Sequence, residues 1–186
     1  MSHRVVFVVG PPGVGKTKAL EGLLDPFTTA LVLRPKWTIS PPVALVGHYG
    51  DTCGGGDTVP YDGAATAVDY WFMNVLPDEG LTTTVLDGDR FSTIGILRRL
   101  QGQGLDPICI LLQANEDTLT QRRANRNSKQ SPTWMKGRAT KALNFSHMFD
   151  DAHRYTIWTD GVEPHEVTKE IATLAEVPSR MRQGAG

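Results

Sequence analysis

The sequence predicts an α/β fold in which helices cover both sides of a mostly parallel sheet. Short, β-branched apolar runs alternate along the chain with segments of helical periodicity. Glycine, proline and aspartate residues separate these segments, and we find no internal repeat. The chain has 186 residues, 40% of them hydrophobic, which suffices for one core without disulfides. Alternation of this kind favours a parallel sheet, so we expect a single domain over residues 1–177.

The first half of the chain is predicted to contain three strands and two helices. The first strand is rich in valine and ends at a glycine-proline turn, and a proline-containing stretch separates the other two. Both helices place apolar residues on one side and end at proline. The strands are Arg4–Val9, Ala30–Leu33 and Val43–Val46, and the helices are Lys16–Leu24 and Asp62–Leu76.

The second half repeats the alternation and ends in a predicted flexible tail, residues 178–186. Its strands are short and apolar, and its helices begin or end at recognisable caps, glycines or prolines. The expected strands are Thr82–Leu86, Ile108–Leu112 and Tyr155–Trp158. The expected helices are Phe91–Leu100, Asn115–Asn127, Thr133–Asp151 and Pro164–Glu176.

Composition excludes several classes of protein. No apolar run approaches the length of a membrane span, and the first residues lack a signal-peptide pattern. Cys53 and Cys109 lie far apart and fit no zinc or redox spacing, so we expect reduced thiols in a cytoplasmic protein without a membrane partner. The net charge of −1 argues against a uniformly basic, nucleic-acid-binding surface.

A glycine-rich loop after the first strand carries the strongest functional signal. Its residues match the pattern G-x-x-x-x-G-K-[ST] between a strand and a helix, as phosphate-binding loops require. Glycines let the backbone N–H groups turn inward onto phosphate oxygens, and the helix dipole adds positive potential. We expect Lys16 to reach the β- and γ-phosphates of ATP and the Thr17 hydroxyl to bind Mg²⁺. The predicted phosphate-binding residues are Gly10, Pro11, Pro12, Gly13, Val14, Gly15, Lys16 and Thr17.

This loop, the size of the chain and its basic segment resemble the P-loop kinases of nucleosides and nucleotides. The resemblance implies a three-layer P-loop NTPase fold with a small lid, and ATP and Mg²⁺ as cofactors. An acid at the end of a middle strand binds Mg²⁺ in such proteins, and Asp87 stands at that place. Asp89 and Arg90 also resemble the Asp-Arg-aromatic segment of thymidylate kinases, which implies that both face the reaction centre. The alternative is that Asp89 only caps the following helix.

Three consecutive glycines, Gly54–Gly56, precede an acid in the middle of the chain. Consecutive glycines are entropically costly, and they make sense where the backbone approaches something closely or takes positive φ. Asp57 beside them is a candidate base for the attacking hydroxyl. The alternative is a flexible surface loop in which Asp57 or Asp62 caps a helix.

The same segment resembles a narrower group, the bacteriophage kinases that act on 5-hydroxymethyluracil within DNA. The matching pieces are Gly47–Tyr49, Gly55–Thr58 and Asp87–Arg90. The resemblance implies that the acceptor is the hydroxymethyl group of a modified pyrimidine in phage DNA, in the host cytoplasm. A nucleoside monophosphate is the alternative acceptor.

The positive charge is concentrated in one segment. Residues 122–141 contain seven basic residues and no acid, on a chain whose net charge is −1. Arg122, Arg123 and Arg126 follow Leu119 at helical spacing, so they share one helix face, and arginine forks suit phosphate. By the resemblance to nucleotide kinases, residues of about 125–138 form a mobile lid, and Arg122, Arg126 and possibly Arg138 belong to the active site.

Two other interpretations of the basic segment stay open. One is a solvated basic face, and the other is a share in DNA backbone binding, since Lys136, Arg138 and Lys141 continue the patch. Trp37 follows two basic residues and either stacks on a base or packs in the core.

The sequence thus predicts a kinase that transfers the γ-phosphoryl group of ATP to a pyrimidine acceptor, either a free nucleotide or hydroxymethylated DNA. Lys16 holds the phosphates, Mg²⁺ lies on Thr17 and Asp87, and Asp57 or Asp89 orients or deprotonates the acceptor. Arg90, Arg122 and Arg126 stabilise the charge in transfer. The competing hypothesis from another class is a regulatory module that binds ATP and hydrolyses it slowly, if at all.

Overall fold

The computed structural model describes residues 3–50, 54–126 and 130–177. Cys53, Lys129 and the predicted tail over 178–186 lie outside the described residues, as do residues 127–129 of the predicted lid. Within the described ranges, every helix is too short or too polar to cross a membrane.

Seven strands form one sheet, and the chain supplies them as β1 (Arg4–Val9), β2 (Ala30–Leu33), β3 (Lys36–Ser40), β4 (Val43–Val46), β5 (Thr83–Asp87), β6 (Ile108–Gln113) and β7 (Arg154–Trp158). The order across the sheet is β2-β3-β4-β5-β1-β6-β7. Strands β4, β5, β1, β6 and β7 are parallel, whereas β2, β3 and β4 pair antiparallel at one edge. The carboxyl ends of β1 and β5 therefore lie side by side at one edge of the parallel core.

Helices cover both faces of this sheet, and they are α1 (Lys16–Glu21), α2 (Ala64–Tyr70), α3 (Ile94–Gly102), α4 (Glu116–Asn125), α5 (Pro132–Ser146) and α6 (Pro164–Leu174). The alternation along β1 divides the core in two. Val5, Phe7 and Val9 pack with α2, α3 and α5, while Val6 and Val8 pack with α1, α4 and α6. The three-layer α/β prediction is confirmed.

Two elements differ from the sequence prediction. The proline-containing stretch after β2 holds a full strand, β3, with Trp37 completely buried and its indole N–H donating to the Ala67 carbonyl at 3.2 Å. Trp37 is therefore a core residue and cannot stack on a base. The helix predicted over 62–76 is α2 followed by a π-helical turn, Trp71–Val75, in which the Leu76 N–H donates to the Trp71 carbonyl.

The remaining helix boundaries shift by a few residues at their ends. Helix α3 begins at Ile94 instead of Phe91, and α1 and α5 end earlier than their apolar spacing predicts. Cys109 is a buried free thiol in β6, and burial raises its pKa to about 12, which keeps it protonated and unreactive.

Candidate active site

A cleft with a volume of about 750 Å³ opens at the carboxyl ends of β1 and β5, the usual ligand position in parallel α/β sheets. It collects most of the residues singled out from the sequence. Those that line it are Gly10, Pro12, Gly13, Gly15, Lys16, Thr17, Asp57, Asp87, Asp89, Arg90 and Arg126. Pro11 and Val14 take part through their main-chain carbonyls, and the Val14 side chain is buried in the core.

The glycine-rich loop folds around the Lys16 ammonium. The Nζ atom donates to the Gly10 carbonyl at 2.9 Å and to the Pro11 carbonyl at 3.3 Å. Burial lowers the pKa of Lys16, and the nearby carboxylates of Asp87 and Asp57 raise it in part. Gly15 enters α1 at φ +103°, with open space where a side chain would project. The loop thus presents the Lys16 ammonium to the cleft.

Asp87 ends β5 with 4% of its surface exposed, and its two oxygens differ in environment. Oδ2 accepts hydrogen bonds from the Tyr49 hydroxyl at 2.9 Å and from the Gly56 N–H at 3.2 Å. Oδ1 is buried and has no hydrogen-bond partner within the described ranges. Burial raises the pKa of Asp87, while the Lys16 ammonium and both Oδ2 donors oppose that rise. One oxygen is held in place and the other remains available.

Thr17 and Asp87 converge on a single point beside Gly55. A Cβ atom added at Gly55 would lie 2.8 Å from Asp87 Oδ2 and 3.2 Å from Thr17 Oγ1. No group of three or more histidine, cysteine or acidic residues able to hold a metal occurs in the described part of the chain. A hydroxyl and a carboxylate are oxygen ligands that suit a Mg²⁺ ion whose other ligands are phosphate oxygens and water. The Thr17 hydroxyl and Asp87 Oδ2 both lie near Gly55, and Asp87 Oδ1 is unpartnered among the described residues, so this donor set fits the predicted metal site.

The middle glycines pack closely against the chain itself. Gly55 has φ +90° and ψ −169°, a region open essentially to glycine alone. A Cβ atom at Gly56 would lie 2.1 Å from the Asp87 carbonyl oxygen, and one at Gly47 would lie 2.1 Å from the Gly55 carbonyl oxygen. The alternative of a flexible surface loop is wrong for residues 54–56, because these glycines press the segment onto the end of β5.

Arg90 holds the turn that follows these glycines. Its Nη1 atom donates to the main-chain carbonyls of Gly56, at 3.4 Å, and of Asp57 and Val59. Its Nε atom is buried without a partner among the described residues. The Asp57 side chain is exposed and lines the cleft. The expected contact of Arg90 with the acceptor stays a prediction. In the structure, Arg90 binds the main chain around Asp57 and so holds the turn that carries this carboxylate.

Asp89 binds helix α5 instead of capping α3. Its carboxylate forms an ion pair with Arg138, accepts from the Tyr61 hydroxyl at 2.5 Å and lies 3.5 Å from Lys141 Nζ. Helix α3 is capped by Thr93, whose hydroxyl accepts from the Ile96 N–H. The capping alternative for Asp89 is therefore wrong. Part of the predicted lid, residues 132–138, is helical and attached through Arg138 to Asp89.

The two arginines of α4 and the one that follows its last residue have separate roles. Arg122 donates to the Val14 carbonyl at 3.1 Å and to the hydroxyl and carbonyl oxygens of Thr159, at 2.9 and 2.6 Å. Arg122 does not line the cleft, so the expected action of this residue on the transferring phosphoryl group is corrected. Its contacts instead connect the phosphate-binding loop to the residue that follows β7. Arg123 lines the cleft and pairs with Glu116. Arg126 lines the cleft, and its guanidinium has no hydrogen bond or ion pair to any described residue.

Four cleft or cleft-supporting residues were missed from the sequence. The sequence assigns Tyr49 no role in the chemistry, but its hydroxyl fixes Asp87. Tyr61, Arg123 and Trp134 line the cleft. The resemblance had pointed to the segment around Tyr49, and helical spacing had placed Arg123 beside Arg126, but neither pattern identified the contact. No sequence signal marked Tyr61 or Trp134.

No protein-family model matches the chain, and no curated protein matches it. Among solved structures, the chain is similar to the tunicamycin resistance protein of Deinococcus radiodurans, with a TM-score of 0.50 and 16% sequence identity. The alignment covers 92% of this chain and 94% of that chain. A likeness at this identity concerns the fold alone. Together with the strand order and the glycine-rich loop after β1, it establishes a P-loop kinase-like fold for this chain.

Proposed function

We propose that this protein is an ATP- and Mg²⁺-dependent kinase that transfers the γ-phosphoryl group of ATP to an acceptor bound in the same cleft. One observation carries the proposal. Lys16, Thr17 and Asp87 lie in a cleft that also holds the exposed carboxylate of Asp57 and the guanidinium of Arg126, and neither Asp87 Oδ1 nor that guanidinium has a hydrogen-bond partner among the described residues. Phosphate-binding, metal-binding and acid–base groups are the complete set that phosphoryl transfer needs.

Each group has a chemical task in this proposal. Lys16 exchanges its two carbonyl partners for β- and γ-phosphate oxygens. Thr17 and Asp87 hold Mg²⁺, which neutralises phosphate charge when bound. Asp57 accepts the proton of the acceptor hydroxyl as its oxygen bonds to the γ-phosphorus and the bond to the β,γ-bridging oxygen breaks, leaving ADP. Arg126 and Arg123 offset the charge that develops on the phosphoryl oxygens.

The acceptor that we favour is the hydroxymethyl group of 5-hydroxymethyluracil in DNA. It rests on the resemblance of three short segments, Gly47–Tyr49, Gly55–Thr58 and Asp87–Arg90, to the phage kinases. The basic residues of α5, including the exposed Lys136, support it because a DNA backbone requires positive charge near the cleft. A nucleoside monophosphate is the second candidate, and a regulatory ATP-binding module is the third.

The decisive experiment follows the label of [γ-³²P]ATP. The acceptor panel contains deoxynucleosides, nucleoside monophosphates, DNA with and without 5-hydroxymethyluracil, and tunicamycin, because the fold neighbour is described as a resistance protein against it. We expect label in hydroxymethylated DNA alone. Label in monophosphates or in tunicamycin would replace the favoured acceptor, and label in inorganic phosphate alone would favour the regulatory module.

Lys16→Met provides the matched loss of function. It keeps an unbranched side chain of nearly the same length and removes the ammonium, so the ATP dissociation constant should rise and transfer should cease. Lys18→Met is the control, because Lys18 is an exposed neighbour paired with Glu21. Unchanged ATP affinity and turnover in Lys16→Met would contradict the proposal.

A further inference from the structure

Two aromatic rings line the cleft beside Asp89 and the first turn of α5. Tyr61 and Trp134 line the cleft with 54% and 39% of their surface exposed. The Arg138 guanidinium carbon lies 4.9 Å from the centroid of the Trp134 ring and 5.7 Å from that of Tyr61. The cleft thus contains a platform of three flat groups, formed by Tyr61, Trp134 and Arg138, to which the tasks described above assign no part.

Polar contacts hold this platform in place from below. The Tyr61 hydroxyl donates to Asp89 Oδ2 at 2.5 Å and accepts from Arg138 Nη1 at 2.5 Å. Lys141 Nζ donates to the Asp89 carbonyl at 2.6 Å, which ties α5 to the loop after β5. The Ser131 hydroxyl accepts from the Trp134 N–H and fixes the first turn of α5. A stacking surface requires aromatic rings that are held in place by polar contacts and keep a face exposed.

We propose that the platform of Tyr61, Trp134 and Arg138 binds the planar nucleobase of the acceptor by stacking. The inference rests on the proposed kinase function and names the part of the acceptor that the cleft recognises. The Arg138 guanidinium lies within cation–π distance of both rings, and the Arg90 guanidinium carbon lies 4.9 Å from the centroid of the Tyr61 ring, so a base would stack beside these cations or displace them. The same cleft holds Asp57 and Lys16, so a base on the platform shares one cavity with the transfer chemistry.

An apolar ligand fits poorly in the part of the cleft around Tyr61 and Trp134. Asp89, Arg138 and Lys141 surround the rings, and a purely apolar group would strip water from these charges without replacing it. A nucleobase presents a π-face to the rings and polar edges to the charges. Stacking tolerates any base, so the platform contributes to the affinity for the acceptor without selecting its base. A free nucleotide and a base extruded from DNA share this chemistry.

The test compares variants that remove a ring with variants that keep one. Trp134→Leu and Tyr61→Leu should each raise the acceptor KM at least about fivefold, the effect of losing one stacked base. Trp134→Phe should restore most of the affinity. The ATP dissociation constant should stay within about twofold of wild type in all of them, because stacking on this platform contributes nothing to the ATP site. Trp158→Leu is the control, an equal substitution at an exposed tryptophan outside the cleft lining.

A binding assay without turnover separates this inference from the kinase proposal. In a Trp158→Phe background, Trp134 is the exposed tryptophan of the described residues, since Trp37 and Trp71 are buried. Titration with a single-stranded oligonucleotide containing 5-hydroxymethyluracil, and with the corresponding mononucleotide, should quench its fluorescence, and the tighter ligand identifies the source of the base.

Each outcome decides one claim. Quenching without phosphoryl transfer would keep the platform and defeat the kinase proposal. Transfer with an unchanged acceptor KM in folded Trp134→Leu would overturn the platform and keep the kinase. Absence of quenching by either ligand would also overturn the platform.

Discussion

Gly55→Ala is the substitution that most directly tests the geometry of the proposed metal-binding corner. The added methyl group would lie 2.8 Å from Asp87 Oδ2 and 3.2 Å from Thr17 Oγ1, closer than carbon and oxygen atoms pack. The residue would also have to keep φ +90° and ψ −169°, which an L-amino acid with a side chain rarely adopts. Asp87 cannot move away freely, because Tyr49 and Gly56 hold the same oxygen.

The expected magnitude follows from these two terms. The backbone conformation costs about 1–3 kcal/mol, and insertion of a methyl group into a packed site costs about 1–3 kcal/mol. A total near 4 kcal/mol lowers Tm by roughly 8–16 °C in a chain of this size. Gly104→Ala supplies the control, since Gly104 follows α3 at φ +75° with open space around it. Its cost is the left-handed backbone alone, about 1 kcal/mol.

The assay is thermal unfolding followed by circular dichroism, together with ATP binding in the presence and absence of Mg²⁺. We expect Gly55→Ala to unfold well below Gly104→Ala and to lose the Mg²⁺-dependent part of its ATP affinity, because Thr17 and Asp87 are pushed apart. Equal Tm values for the two variants, with Mg²⁺ dependence preserved in both, would refute the convergence of Thr17 and Asp87 on this point.

Three further predictions concern charge and hydrogen bonding around the cleft. Burial raises the pKa of Asp87, so this carboxyl stabilises the native state at low pH, and that contribution is lost as pH rises through its native pKa. Asp87→Asn should therefore have a Tm equal to or above that of wild type at pH 8 and lose this advantage towards pH 4. The same variant should not transfer the phosphoryl group. Tyr49→Phe removes a hydrogen bond that lowers the pKa of Asp87, so the acidic limb of the pH–rate profile should move to higher pH, and an unmoved limb would contradict this. Arg122→Ala should lower the free energy of unfolding by about 2–3 kcal/mol because three hydrogen bonds are lost. Arg126→Ala should leave Tm unchanged and lower kcat. Denaturant titration and initial rates distinguish the two variants, and a stable Arg122→Ala beside a destabilised Arg126→Ala with normal kcat would contradict the assignments.

Much of the fold could be predicted from the sequence because local pattern and overall architecture agree. Valine-rich runs alternating with amphipathic helices define a parallel sheet, and the glycine-rich loop fixes which end of β1 carries the site. Strand β3 escaped prediction because prolines stand on either side of it, at Pro35 and Pro41, and proline normally marks a loop. Pairing with both β2 and β4 overrides that local signal.

The site could be predicted only as far as short motifs reach. Lys16, Thr17 and Asp87 belong to such motifs and do line the cleft. Helical spacing puts Arg122 and Arg126 on one face, but it cannot reveal that Thr159, 37 residues beyond Arg122, captures the first of them. The contact between Tyr49 and Asp87 spans 38 residues and depends on how strands β4 and β5 align. Such contacts arise from tertiary register, and a single sequence contains no pattern for them.

The residues that line the cleft rest on supports of unequal rigidity. Asp87 and the phosphate-binding loop project from β5 and β1, neighbours inside the sheet whose backbones are bonded on both sides. Tyr61 belongs to a turn, and Trp134 belongs to the first turn of the surface helix α5. An exposed side-chain contact between Tyr61 and Arg138 joins the turn to this helix. Exchange of amide hydrogens should therefore be slowest at β1 and β5 and faster around Tyr61 and Trp134. Under the proposed kinase function, such an arrangement would let the choice of acceptor be altered by protein engineering while the ATP-binding half is left untouched.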